Sequence, residues 1–171
     1  SGRPRSRKST LKSYATSTSD TSFMNPVRLI LTGGTIDSAE PYRSDIKSTF
    51  PSGTHIPEML EQARVKSGVV VDVLMLKDSN DITEEDRHLL LERCREMPEE
   101  RAVVTHGTDT MADTARFLGE RIKDKTIVMT GAMTPFVMER SDSLFNLGFA
   151  VASAQNLPKG VYVAMHGRIF D

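Results

Sequence analysis

Tryptophan is absent, tyrosine occurs three times and cysteine once among the 171 residues. With a single thiol, Cys94, no internal disulfide can form, and a reducing cytoplasm is the expected compartment. Cys94 stands among leucines in a helical pattern, which predicts a buried thiol. Long apolar runs are missing too. Nothing approaches the roughly 20 residues of a membrane-spanning helix, so no membrane partner is expected. Neither charge dominates, since 22 basic and 23 acidic residues leave a net charge of −1. The imbalance that exists is local. Residues 1–23 hold five basic residues and one acidic one, with many Ser and Thr but no apolar periodicity and no apolar centre of a secretory signal. They read as a disordered basic tail or a vector-derived remnant ahead of Met24, with an organelle-targeting peptide as a third alternative. Residues 24–171 carry 17 basic against 22 acidic residues, a net charge of −5, and offer no electrostatic case for nucleic-acid binding.

What is present is a rhythm. Five short apolar runs cover 28–32, 69–76, 102–105, 126–130 and 161–165. Their β-branched content and lack of polar alternation predict strands covered on both faces. Helical patterns lie between them, the first a weak one over 56–63. The next, over 83–97, opens with Thr83 and Asp86 in a capping arrangement, puts Leu90, Leu91, Cys94 and Met97 on one face, and stops at Pro98. A third follows Asp109, its expected N-cap, with Met111, Ala115, Leu118 and Ile122 in one stripe. A fourth, over 143–156, carries Leu144, Leu147, Val151 and Ala154. Strand and helix in alternation predict a single-domain α/β fold, a doubly wound and mostly parallel sheet in three layers with right-handed crossovers. A chain of this size buries about 70% of its extended surface, enough for a core without covalent staples.

In such a sheet, ligands bind beyond the carboxyl ends of the strands. Those ends lead into Thr32-Gly33-Gly34-Thr35, Asp78-Ser79-Asn80-Asp81, the THGTDT of 105–110, Thr130-Gly131-Ala132-Met133 and His166-Gly167. Paired glycines let a backbone turn sharply and expose N–H groups, but the dinucleotide fingerprint G-x-G-x-x-G is absent. On composition alone, a tight turn with Thr35 bonded to the backbone explains this loop as well as a reactive hydroxyl does. In the loop of 105–110, His106 fits a packed core imidazole and Asp109 a helix cap. One cap suffices for one helix, however, and five polar side chains crowd here without metal-ligand spacing, so no metal is expected. Hydroxyls from two strand ends together with a carboxylate point to acyl transfer through a threonine nucleophile.

Taken in order, TGGTI at 32–36, KDSNDITEEDR from Lys77, THGTDTM at 105–111, TGAMTP from Thr130 and ERSDSLFNL from Glu139 resemble the amino-terminal domain of the bacterial L-asparaginase/glutaminase family. The resemblance runs from Leu29 to the end and implies that 24–171 form a domain of that type, with no cofactor. It implies Thr35 as the nucleophile on the side-chain amide of L-asparagine, polarised by Tyr42 from a loop where Phe50 is a second aromatic. Thr108 and Asp109 would form a second catalytic cluster, Asp109 also receiving the substrate α-ammonium. Ser79 and nearby backbone would hold the α-carboxylate, Asn80 would add a polar contact, and Gly34 and Gly107 would border the substrate. Backbone N–H groups near Gly34 or Thr108 would stabilise the oxyanion. Water would release aspartate and ammonia from the acyl-enzyme. L-Glutamine differs by one methylene, which packing separates by only about 10–200-fold, so it stands beside L-asparagine as a substrate.

Two features of the family lie outside these residues. One is a lysine beside the second Thr-Asp pair, supplied after the strand at 161–165; Lys123, Lys125 and Lys159 stand elsewhere. The other is the carboxy-terminal domain. The expectation is therefore a short, one-domain asparaginase or a piece of a longer protein, acting as a homodimer or homotetramer. A domain without its companion exposes apolar surface, here with Met111, Phe145 and Phe149 as candidates. The alternative is a catalytically weak or inactive amino-acid-binding module of the same fold.

Overall fold

The computed structural model describes residues 26–39, 53–65 and 68–171. In chain order the elements are β1 (Val27–Gly33), α1 (Ile56–Gln62), β2 (Val69–Lys77), α2 (Glu84–Glu96), β3 (Arg101–Thr105), α3 (Met111–Arg121), β4 (Thr126–Thr130), α4 (Ser143–Asn156), β5 (Gly160–Met165) and β6 (Arg168–Phe170). Short 3-10 turns follow β1 at Thr35–Asp37 and β2 at Ser79–Asp81. Among the described residues the strands form one sheet in the order β2-β1-β3-β4-β5-β6, parallel except for the antiparallel β5–β6 pair. The expected three-layer, mostly parallel α/β domain is what forms.

The layers follow from period two along the strands. Leu29, Leu31, Val103 and Val128 face one way and pack with Ile56 and Met59 of α1 and Leu147, Ala150 and Ala154 of α4. Ile30, Ala102, Val104, Ile127 and Met129 face the other way, against Leu90, Leu91 and Cys94 of α2 and Met111 and Leu118 of α3. Each fully buried Leu or Ile contributes about 1.5–3 kcal/mol. Cys94 is buried as expected, and desolvation pushes its thiol up to about 12. The capping arrangement of α2 is complete: the Thr83 hydroxyl accepts from the Asp86 N–H, and the Asp86 carboxylate accepts from the Thr83 N–H. Lys77 Nζ, at the end of β2, also bonds that carboxylate at 2.7 and 2.8 Å and so ties helix to sheet.

Several expectations need correction. β2 ends the strand order among the described residues, and Val70, Val71 and Val73 are 39%, 37% and 51% exposed rather than covered on both faces. Its valines reflect strand propensity, which a pleated edge satisfies without burial. His166 and Gly167 do not open a ligand loop. They are the turn between β5 and β6, both with positive φ (50° and 76°), the signature of a two-residue primed hairpin turn. Thr110, not Asp109, occupies the N-cap of α3, and no side chain caps that helix. Met111 belongs to the core at 3% exposure, whereas Phe145 is 60% exposed and stacks on Phe149 at 6.1 Å.

At the opposite end of the strands from the glycine loops, Arg28 bonds Glu99 at 2.7 and 3.0 Å and Asp72 at 3.1 Å, and Arg93 also pairs with Asp72. Hydrogen bonds from Arg28 outweigh desolvation and hold the Glu99 carboxyl below its ordinary 4.5. A carboxylate depressed in this way contributes stability in full above its unfolded value and loses it as pH falls through the folded one. Urea titrations are therefore expected to show stability declining as pH drops below 4.5, and Glu99→Gln to make that decline shallower. Two glycines predict opposite signs. A Cβ at Gly33 (φ +101°) would stand 2.5 Å from Lys77 O, so Gly33→Ala should cost more than the 1–3 kcal/mol, roughly, of a strained backbone. A Cβ at Gly148, inside α4, meets nothing within 4 Å, so Gly148→Ala should raise stability by about 0.8–1.0 kcal/mol. Thermal denaturation of the two variants checks both.

Candidate functional site

From β1 the chain crosses to β2 on one side, and from β3 to β4 on the other. The loops leaving β1 and β3 therefore part at their carboxyl ends, the switch point where open α/β sheets form clefts. Register puts Leu31 opposite Thr105, and the Thr32 hydroxyl donates to Thr105 O at 2.6 Å, so both polar loops start at the same height. Gly33 and Gly34 then turn the backbone through positive φ (101° and 84°) and bring Thr35 to the head of its 3-10 turn.

Backbone contact draws the neighbouring loops onto one another. A Cβ on Gly34 would stand 2.6 Å from the His106 carbonyl carbon and 2.7 Å from Gly107 Cα. One on Gly107 would stand 2.7 Å from Ser79 Cβ, and one on Gly131 would run into His106 O. At the meeting point lies a cavity of about 390 Å³, lined by Gly34 and Thr35, by Asp78 and Ser79, by Gly107, Thr108 and Asp109, and by Ala132 and Met133. A groove of about 360 Å³ elsewhere lies between α3 and β5, with Ala115, Val161 and Val163 as well as Arg116, Glu120 and Lys123 in its walls. Hydroxyls and carboxylates from separate strand ends converge in the former.

Of the expected site residues, Thr35, Thr108, Asp109, Ser79, Gly34 and Gly107 line the one cavity. Thr35 and Thr108 are half-buried, Ser79 is buried and Asp109 is exposed. Asn80 does not line it. Its side-chain amide instead donates to Asp109 Oδ2 at 2.9 Å and to Asp78 Oδ1 at 3.3 Å, bracing the Asp109 carboxylate from behind. Asp109 is free to be held this way because it is not the helix cap, while the Thr110 hydroxyl goes to Ser79 O at 2.8 Å. The Gly34 N–H donates to Lys77 O at 3.0 Å and is thus committed to the loop rather than to an oxyanion. Tyr42 and Phe50 lie outside the described residues. His106 is the packed imidazole anticipated for it, fully buried, with Thr114 and Gly107 as partners.

Asp78, Ala132 and Met133 line the cavity without having been singled out, although their loops were. The signal available was their place after β2 and β4; composition says nothing about Ala132. Asp142 also went unread. Its carboxylate accepts from the N–H groups of Met133 (3.0 and 3.1 Å) and Thr134 (2.9 Å), from Asn146 Nδ2 at 2.9 Å and from His166 Nε2 at 2.8 Å. Desolvation pushes this carboxyl up, but those N–H bonds and His166 outweigh it and leave it below its ordinary 3.8. One side chain thereby fixes the wall formed by 132–133 to the start of α4 and to the β5–β6 turn. Among the described residues no group of three or more His, Cys, Asp or Glu could hold a metal ion. Nor is any described helix long and apolar enough to cross a membrane.

Comparison with known proteins gives this geometry a lineage. The chain is 32% identical over 159 residues to L-asparaginase 2 of Escherichia coli, covering 85% of the chain and 44% of that protein. It is 32% identical over 153 residues to a glutamyl-tRNA(Gln) amidotransferase subunit of Methanococcus vannielii, covering 85% of the chain and 35% of that protein. Among solved structures, a probable cytoplasmic L-asparaginase from Campylobacter jejuni superposes with a TM-score of 0.72 at 30% identity, over 86% of this chain and 48% of that one. The chain thus spans less than half the length of these relatives. Residues 26–171 match the family profile described as Asparaginase, N-terminal, and the chain belongs to the asparaginase family through its amino-terminal domain.

Proposed function

We propose that the chain is an amidohydrolase that converts L-asparagine to L-aspartate and ammonia, with Thr35 as nucleophile. One observation carries the reading: Thr35, Thr108 and Asp109, from the ends of two adjacent strands, share one cavity with Ser79. In the proposed reaction Thr35 Oγ bonds to the amide carbon as its proton passes through the acceptor to the amide nitrogen, the C–N bond breaks, and that nitrogen departs as ammonia. Water then cleaves the ester and restores the hydroxyl. A threonine hydroxyl needs a proton acceptor at neutral pH, the role proposed for Tyr42 together with the Thr108–Asp109 cluster. Asp109 receives the α-ammonium, with Asn80 setting its rotamer rather than touching substrate. Ser79 and the backbone around Gly107 take the α-carboxylate. With the Gly34 N–H committed to Lys77, the oxyanion donor is the Thr108 N–H.

The cytoplasm is the proposed compartment, and a homodimer or homotetramer the proposed assembly. Exposure of Phe145, Met133, Ile169 and Phe170 supports association. Light scattering should report more than one copy at micromolar concentration, and a monomer throughout that range would contradict this. A second reading is favoured by the match to the amidotransferase of Methanococcus vannielii: the same cavity would release amide nitrogen inside a larger assembly. The two readings divide over substrate. Ammonia release should be measured with asparagine and with glutamine, for the wild type, Thr35→Ala and Asp109→Ala. Thr35→Ala is expected to lose at least about a thousandfold in kcat. Asp109→Ala should raise KM as well, since an ammonium contact is lost. A Thr35→Ala chain that releases ammonia at the wild-type rate would refute the nucleophile, whereas a wild type that releases none would leave the amino-acid-binding module as the reading. Release from glutamine in preference to asparagine would favour the amidotransferase relationship.

A further inference from the structure

His106 belongs to the THGTDTM signature, yet it lines no part of the cavity and its ring is fully buried. The groups around it form a chain whose direction is set at its carbonyl end. Arg87 Nε, on α2, donates to the Thr114 hydroxyl of α3 at 3.0 Å. A guanidinium only donates, so the hydroxyl accepts there, and its own proton is available for His106 Nε2, 3.0 Å away. Nε2 then accepts, and the proton of the neutral ring sits on Nδ1, which donates to Gly107 O at 2.7 Å. A carbonyl only accepts, so this end fixes the tautomer of the neutral ring, and the hydroxyl at the other end can supply the matching proton. Burial and the Arg87 charge both disfavour a protonated ring, against the opposing pull of Gly107 O.

The carbonyl held in this way is not an arbitrary one. It belongs to the peptide that joins Gly107 to Thr108, and a trans peptide is planar with its C=O and N–H opposed. Turning Gly107 O toward the imidazole turns the Thr108 N–H away from it, on the segment that lines the cavity. We propose that the Arg87–Thr114–His106 chain is a positioning device that aims the Thr108 N–H at the oxyanion. This rests on the amidohydrolase reading above. His106 and Thr114 touch no substrate; they act through a peptide plane.

Two measurements on the full chain test the proposal. In nitrogen-15 histidine NMR at neutral pH, the His106 ring should carry its proton on Nδ1 and none on Nε2. An Nε2–H ring overturns the proposal whether or not ammonia is released. In ammonia release from asparagine, Thr114→Val, which keeps shape but removes the hydroxyl, should lower kcat about tenfold or more with KM shifted far less, since a misaimed oxyanion donor acts in the transition state. Thr114→Ser, which restores the hydroxyl, should recover most of the rate. Thr114→Val at full kcat, with or without a lower melting temperature, would make the chain mere packing and overturn the proposal. An Nδ1–H ring in a wild-type chain that releases no ammonia would sink the assigned reaction instead, and with it the catalytic purpose given to the chain.

Discussion

The approach of Gly34 to the His106–Gly107 peptide sets the spacing of every other group at the site. Any side chain at 34 would overlap that peptide, and any at 107 would overlap Ser79. Thr35 and Thr108 share a cavity because their backbones meet at bare glycine, one position before Thr35 and one before Thr108. From the other side, the imidazole of His106 holds Gly107 O, and the cross-strand bond from Thr32 to Thr105 O levels the two loops at their origin. The meeting point is thus fixed by close backbone packing and by hydrogen bonds from both loops.

Carboxylates at this edge of the sheet divide the work. Asp86 completes the cap of α2 and pairs with Lys77. Asp37, fully buried, accepts from the Thr54 hydroxyl and the His55 N–H, both at 2.6 Å, and so joins the turn after β1 to the start of α1. Asp142 gathers the 132–134 segment, Asn146 and His166. Asp109 alone of these is both exposed and part of the cavity lining, braced by the Asn80 amide. Asp109 is thereby held in orientation at the cavity without being buried.

The chain belongs to the asparaginase family and covers less than half of the relatives it matches. The exposed valines of β2 and the exposed Phe145, Ile169 and Phe170 lie away from the cavity lining. Apolar surface is thereby left at the flanks of the sheet while the polar cleft stays at the strand ends.

Much of this was legible in the residues. Short β-branched runs between helical stripes specify a parallel sheet, because each element must bury a face of its own period. The Thr83–Asp86 cap, the buried Cys94 and the two hydroxyl-bearing loops were readable for the same local reason: their partners lie within a few positions or in a recurrent motif. The edge position of β2, the antiparallel β6, the brace from Asn80 and the anchor at Asp142 were not. The brace and the anchor depend on partners far along the chain, as when Asp142 reaches His166 across 24 positions; the edge depends on the lack of a further strand beside β2 among the described residues, and β6 on a tight turn that closes back onto β5. The sequence determined which groups would stand at the strand ends. Only the tertiary structure decided which of them line the cavity and which hold the others in place, because that depends on distances between loops that no local pattern encodes.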